Sequence, residues 1–367
     1  MNEYTFLENR KVNPIKWFCK LLGAGALAFA VLSVFSYIYY NPGTHITSTN
    51  GATDYVWESN GFYSKATEGF AYGRVDKNGY NNAYPAPADE KVDMLLLGSS
   101  HMEAFNVASD ENTVYVLNEL LRKNGDERYV YNIGMSEHNL IRVVSNFSKA
   151  LEAFKPSDYA IVELASLDFT AEQVLAACNG ELAELSSYDS GLMYNLQKFP
   201  LLKLLRFQIS GKMENAFVPL LSQFESKEIT AKAATDEVFI PLSDEEVAQF
   251  EEAYEVMLKQ LLSTCEANDC ELILIYHPNM VINNDGSIRI TDLDQKKAAF
   301  FGKCEELNIA TINMTETFLN EYKEHYIFPN GFYNTGVGAG HLNKHGHRML
   351  AQSLFDMICE LEAKKGE

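Results

Sequence analysis

Two serines end an apolar run in "DMLLLGSSHMEAFNV", Asp93 to Val107. Met94 to Leu97 shows no polar–apolar alternation, as expected of a strand covered on both faces. The run stops at Gly98-Ser99-Ser100-His101. In open α/β sheets, ligands bind at the carboxyl ends of strands. Ser100 therefore stands where a nucleophile would be useful, although small hydroxyls also cap plain turns. A serine hydroxyl attacks only when a base takes its proton, and histidine is the usual base.

Eight histidines are available. His45 lies in a polar stretch near the N-terminus. His101 and His138 read as loop residues near the first strand. His277 ends a later strand, and His325 falls in a surface-like stretch. His341, His345 and His347 lie together in "GAGHLNKHGHRMLAQ". His341 stands in a glycine-rich loop that can run beside the serine. His345 and His347 read as first-turn surface residues of the helix that follows. The four-residue spacing of His341 and His345 suits a metal pair, but Gly346 breaks the helical reading and no acid lies close in sequence. No metal and no cofactor are expected. Glu163 and Asp168 read as capping or solvated carboxylates.

The elements needed to hold these groups alternate along the chain. "SDENTVYVLNELLRKNG" has helical spacing, with Ser109 as N-cap and Gly125 as stop. "YVYNIG" reads as a second strand, and "NLIRVVSNFSKALEAFKP" as a helix closed by Pro156. "DYAIVELAS" reads as a third strand, "CELILIYHP" as a fourth and "IATINM" as a fifth. Between the third and fourth lies "SDEEVAQFEEAYEVMLKQLLSTCEAN", where Ser243 and Glu246 match a capping box. "DLDQKKAAFFGKCEELN" reads as a helix, and the last helix takes Asn343 as N-cap. Strands alternating with helices imply a parallel sheet with helices on both faces. Residues 170–241 interrupt this rhythm and read as an insertion of short helices. Six cysteines are present, and only Cys265 and Cys270 are placed to bridge a short turn.

The N-terminus sets the compartment. From Leu21 to Tyr40 there is no charged residue, and twenty helical residues span roughly 30 Å, the thickness of a bilayer core. Arg10, Lys11, Lys16 and Lys20 precede the run, whereas Asn41 to Asn60 contains no Lys or Arg. That asymmetry expects residues 1–20 in the cytoplasm, an uncleaved single-pass anchor at 21–40, and the rest outside the plasma membrane. Residues 41–90 are polar and rich in Gly, Asn, Tyr and Pro, and read as a membrane-proximal lead-in. Residues 91–367 form the catalytic domain. The formal net charge of −20 is repelled by phosphates, so no nucleic-acid partner is expected.

"GSSH" after the first strand, a strand ending at Gly134, and "GHLNKHGHRMLA" before the last helix resemble the SGNH/GDSL hydrolase superfamily. The resemblance covers about Lys91 to Leu361. It is nearest to membrane-anchored extracytoplasmic members, the D-alanyl transfer protein of teichoic-acid modification and polysaccharide O-acetyltransferase-like proteins. It implies a flavodoxin-like three-layer α/β/α sandwich. It also implies Ser100 as nucleophile, His341 as base, and the N–H groups of Ser100 and Gly134 as oxyanion donors. The family's Gly-x-Asn-Asp falls on Ala165-Ser166-Leu167-Asp168, leaving Ser166 or Asp168 as substitutes for the absent side-chain donor. The family's Asp-x-x-His carries Gly338 at the aspartate position, so Asn334, Thr335 or a backbone carbonyl is expected to orient His341. The implied function is a serine O-acyltransferase or esterase acting on a cell-envelope glycan or polyol, with acyl groups delivered by a membrane acyltransferase. The alternative is a catalytically degenerate module that binds glycan or docks onto such a partner.

Overall fold

The structure, a computed structural model, describes residues 13–84, 91–183, 185, 191–205, 208, 241–282, 287–335, 338 and 340–366. The chain opens with α1, Pro14–Tyr39, capped by the Asn13 side chain. This helix is 26 residues long, with a mean hydropathy of 2.1 over its most apolar 18-residue window, and is long and apolar enough to cross a membrane. Its last residue runs directly into β1, Tyr40–Asn41. The lead-in then adds β2 (His45–Thr47), β3 (Tyr55–Trp57), β4 (Phe62–Lys65) and β5 (Ala71–Arg74). β2 pairs with β3, and β4 lies between β1 and β5, all antiparallel. The polar composition of this stretch hides an aromatic set. Tyr55, Trp57, Tyr63 and Tyr80 are buried, and the Tyr63 ring stacks on Phe105 at 3.9 Å between centroids.

The main sheet begins with β6, Met94–Leu97, followed by the single turn α2, Ser100–Glu103. α3 (Thr113–Lys123), β7 (Val130–Asn132), α4 (Leu140–Phe154), β8 (Tyr159–Leu164), α5 (Ala171–Cys178) and α6 (Gly191–Gln197) follow. The chain ends with α7 (Asp244–Ala267), β9 (Glu271–Tyr276), β10 (Met280–Ile282), β11 (Ile288–Ile290), α8 (Asp294–Glu306), β12 (Ala310–Asn313), α9 (Thr315–His325) and α10 (Lys344–Lys365). The five parallel strands lie in the order β7-β6-β8-β9-β12. By sequence rank this is 2-1-3-4-5, the flavodoxin-like order, whose switch point lies beside the first strand.

Period-2 alternation divides each strand between two cores. Leu95, Leu97, Ala160, Val162, Leu272 and Leu274 face α4, α5, α7, α8 and the lead-in aromatics. Met94, Leu96, Tyr159, Ile161, Ile273 and Ile275 face α3, α9 and α10. The fold is thus a three-layer α/β/α sandwich, and the unbroken apolar runs follow from burial on both faces.

Local signals set most boundaries. Ser243 and Glu246 form the capping box of α7, and Asn343 caps α10 through His345 N and Gly346 N. The N-cap expected at Ser109 lies instead at Asn112, because Ser109–Glu111 first forms a 3₁₀ turn. α5, which opens the expected insertion, buries Val174 and Ala177 in the core shared with α7. Most of the remaining insertion, 209–240, lies outside the described residues, as do 1–12 and 85–90. Cys265 and Cys270 are unbridged, and the Cys270 thiol donates to the Cys265 carbonyl at 3.7 Å.

Candidate active site

β6 ends at Leu97, and the next three residues make the turn that presents Ser100. Ser99 is the N-cap of α2, its hydroxyl accepting from His101 N at 3.2 Å. The same hydroxyl donates to Glu163 Oε1 at 3.2 Å, and Ser99 N donates to Glu163 Oε2 at 2.7 Å. Glu163 is fully buried on β8, and its Oε1 also meets His277 Nε2 at 2.6 Å. It is therefore neither solvated nor a helix cap: it fastens the serine turn to the next strand. Gly98 is required beside it, since a Cβ there would lie 2.5 Å from Glu163 Oε2 and 2.7 Å from Met102 Cγ. With Ser99 held by Glu163, the second serine projects outward.

Ser100 Oγ lies 2.8 Å from His341 Nε2. The partner that orients His341 comes from the lead-in. Glu68, at the tip of the β4–β5 hairpin, places Oε2 at 2.7 Å from His341 Nδ1, and its Oε1 accepts the His341 backbone N–H at 2.5 Å. An ionised carboxylate only accepts, so Nδ1 carries the ring proton and Nε2 offers its lone pair to Ser100. Burial would raise the Glu68 pKa, but the hydrogen bonds and charge of His341 outweigh it and hold the carboxyl below its ordinary value. Asn106 Nδ2 donates to Glu68 Oε2 at 3.2 Å.

The sequence offers Asn334, Thr335 or a backbone carbonyl to orient His341, and Glu68 does so instead. Asn334 acts on the hairpin that carries Glu68. Its Oδ1 accepts from Gly69 N at 2.7 Å, and its Nδ2 donates to the carbonyls of Ala66 and Gly69 at 2.9 and 3.2 Å. Thr335 closes its own turn onto Phe332, accepting from Phe332 N at 2.8 Å.

Two further expectations are corrected. The Gly134 N–H is not aimed at the serine: Asn132, at the end of β7, accepts it on Oδ1 at 2.8 Å. Gly134 is needed for close packing, since a Cβ there would sit 2.4 Å from Met102 Cβ. Ser166 and Asp168 belong to a separate turn. Ser166 Oγ donates to Asp292 Oδ1 at 3.1 Å and accepts from Asp168 N at 2.8 Å, while Asp292 Oδ2 takes the Tyr276 hydroxyl at 2.6 Å. Of the first-turn amides of α2, those of His101, Met102 and Glu103 bond back to Ser99. The Ser100 N–H is then the amide of that turn, among the described hydrogen bonds, with no protein acceptor.

His101 and His347 are not loop and surface residues. His101 is buried, its Nδ1 accepts from Leu342 N at 3.1 Å, and its ring lies 5.0 Å from His341 and 4.8 Å from His277. It ties Leu342, the residue after His341, to the residue after Ser100. Burial first, then the imidazoles of His277, His341 and His347, hold its pKa well below the ordinary value. His347 is buried where α10 packs on α3, Nδ1 lying 2.8 Å from Thr113 Oγ1, and burial followed by His277 and His341 lowers its pKa to about 3.

The lead-in is also bound to the back of the site. Trp57 Nε1 donates to the buried Glu103 Oε1 at 2.7 Å, and Ser136 Oγ bonds Oε2. Asn81 Nδ2 donates to the Glu103 carbonyl at 2.8 Å, and Asn82 bonds Asn132 N and O. Burial raises the Glu103 pKa despite these donors. Among the described residues no group of three or more His, Cys, Asp or Glu is arranged to hold a metal ion.

No protein-family model matches the chain, and no curated protein does. Solved structures with a similar fold include the psychrotrophic esterase EstA from Pseudoalteromonas sp., at 11% identity and a TM-score of 0.38, covering 74% of this chain and 99% of that one. A two-domain esterase active on acetylated mannans aligns at 12% identity and a TM-score of 0.41, over 74% of this chain and 50% of its own. The acetyl xylan esterase AlAXEase aligns at 10% identity and a TM-score of 0.39, over 72% and 98%.

Proposed function

We propose that the chain is a serine acyl esterase or O-acyltransferase of the SGNH/GDSL kind. Its site works outside the plasma membrane, with α1 retained as a single-pass anchor. The observation that carries this reading is the continuous hydrogen-bonded chain Ser100–His341–Glu68, closed at 2.8 and 2.7 Å. Ser100 Oγ attacks the acyl carbonyl carbon while its proton passes to His341 Nε2. The Ser100 N–H stabilises the oxyanion that forms. The tetrahedral intermediate collapses by breaking the bond to the leaving alcohol, whose oxygen takes the proton from His341. A glycan or polyol hydroxyl, or water, then attacks the acyl-serine, gives its proton to His341, and expels Ser100 Oγ, which is reprotonated. Glu68 stays ionised throughout, holding the imidazole in the right tautomer and stabilising its cation. A membrane acyltransferase that loads the acyl group is compatible with this order of events.

A second reading, a module that binds glycan without turnover, is favoured by one observation. With Gly134 N–H committed to Asn132, only one of the two expected oxyanion donors remains. One experiment separates the two. The full chain in detergent is treated with a fluorophosphonate probe and with an activated acetyl ester. Labelling at Ser100, and ester turnover, that both vanish in Ser100→Ala and His341→Ala support the enzyme. A folded protein that neither labels nor turns over is the binding module.

A further inference from the structure

The acid of the triad is tied to the end of the apolar helix. Ala66 N donates to the carbonyl of Tyr39, the last residue of α1, at 2.8 Å. One residue earlier, Lys65 pairs with Tyr40 in β1, and Ser64 with Asn41. The last turn of α1 also packs on the same strand. Tyr37 stacks on Phe62 at 5.3 Å, and Ser64 Oγ donates to the Tyr37 carbonyl at 2.5 Å. β4 is antiparallel to the chain leaving α1, so it runs back toward that helix, and the hairpin tip after it carries Glu68. Only Thr67 lies between Ala66 and Glu68, two Cα steps with a reach of at most about 7 Å.

We infer that the active site is held at the bilayer surface and that its substrate is membrane-borne: an acyl ester carried at headgroup level by an amphiphile. This rests on the proposed serine chemistry and on α1 as the anchor. There is no free linker between helix and site. The carbonyl of Tyr39, the β1–β4 pairing and the Glu68–His341 contacts form one continuous set of bonds. A site on such a mount cannot swing out to sample bulk solution. The side chains beside it fit an interface. Phe70 follows the hairpin tip, Tyr72 lies on β5, and Tyr333 adjoins Asn334, which grips that tip; all three are exposed. Exposed tyrosines such as Tyr72 and Tyr333 are the amphipathic aromatics enriched at membrane–water interfaces, and Phe70 adds apolar surface beside them. Phe332, the neighbour of Tyr333 in the chain, packs over Gly69, where a Cβ would lie 2.6 Å from Phe332 Cδ1.

The test uses the full chain reconstituted in phosphatidylcholine vesicles. One chromogenic acyl ester is offered in three forms: dissolved in water, attached directly to a phosphatidylethanolamine headgroup, and attached to the same headgroup through a long polyethylene glycol spacer. A site held at the surface turns over the directly attached ester at least about threefold faster than the spaced one at equal surface density, because the spacer dilutes the ester away from the membrane. Equal rates, or a faster spaced ester, overturn the inference while turnover of the dissolved ester leaves the serine chemistry standing. If the dissolved ester is not turned over and no fluorophosphonate label forms, the proposed function fails and this inference fails with it.

Discussion

Replacing Glu68 by glutamine tests the central claim about the site, that a residue of the lead-in completes its chemistry. The side chain keeps its shape and loses one acceptor oxygen. In the native site both oxygens accept: Oε1 from His341 N, and Oε2 from His341 Nδ1–H and Asn106 Nδ2. Glutamine can satisfy only one side. With its oxygen toward the backbone N–H, its NH₂ faces Nδ1, and the imidazole must move its proton to Nε2. It then cannot take the proton of Ser100. With its oxygen toward Nδ1, two donors meet at the backbone contact of 2.5 Å and the hairpin tip is pushed away. Loss of the correct tautomer in a triad costs roughly 10⁴ in turnover, about 5 kcal/mol of transition-state stabilisation. The assay is kcat/KM on an activated acetyl ester together with the rate of fluorophosphonate labelling at Ser100, with the melting temperature measured alongside. Glu68→Asp should recover part of the rate. A Glu68→Gln protein with less than a tenfold loss, melting like the parent, would refute the assignment.

Gly98→Ala should abolish both labelling and turnover, since the added Cβ meets Glu163 Oε2 at 2.5 Å and displaces the serine turn; wild-type activity in a folded variant would contradict this packing. Glu163→Gln replaces one of two buried acceptors, Oε2 that takes Ser99 N or Oε1 that takes Ser99 Oγ and faces His277 Nε2, and the donor left facing an NH₂ should cost about 3 kcal/mol in urea unfolding, with a fall in kcat. Asn334→Ala frees the hairpin that carries Glu68 and should lower kcat/KM by about tenfold, an effect typical of slight misplacement of catalytic groups, with little change in melting temperature. Acid should destabilise the fold through its buried imidazoles. His347 is held neutral down to about pH 3, whereas the unfolded chain protonates near 6.5, so its contribution is present above about pH 6.5 and drains away as pH falls toward 3. His101 shifts in the same direction. Each such group steepens the loss by up to about 1.4 kcal/mol per pH unit, so His347→Gln should flatten the fall in stability between pH 6.5 and 4.5; an unchanged slope would count against it.

The histidines show where reading along the chain stops working. His341 was legible because a glycine-rich loop, an N-capping asparagine and a helix surround it within a few residues. His347 was read as a surface residue because nothing local says that α10 presses that face onto α3. Its burial comes from Thr113, 234 residues away. Glu163 differs from its expected solvated or capping role for the same reason: it lies inside an otherwise apolar strand, and only the neighbouring serine turn and His277 explain a buried carboxylate there. The signal that was available was the charge itself, since an unpaired acid in a doubly covered strand is too costly to keep. Gly134 matched a motif position, yet its N–H is claimed by Asn132 two residues earlier, a contact that depends on the exact bend after β7.

The sequence by itself determined what depends on neighbours within about one turn or one strand: five apolar strands, the helices between them, the caps at Ser243 and Asn343, the apolar helix at the start, and a serine and a histidine at the ends of their elements. Periodicity and capping act over a few residues, so they can be read there. Only the tertiary structure decided which acid serves His341. Glu68 stands 273 residues before it, in a polar stretch with no motif, and reaches it because the lead-in folds its aromatics against the sandwich and pairs β4 with β1, the strand that leaves α1. That choice was made by packing and by closure of distant hydrogen bonds, and neither leaves a mark in local spacing.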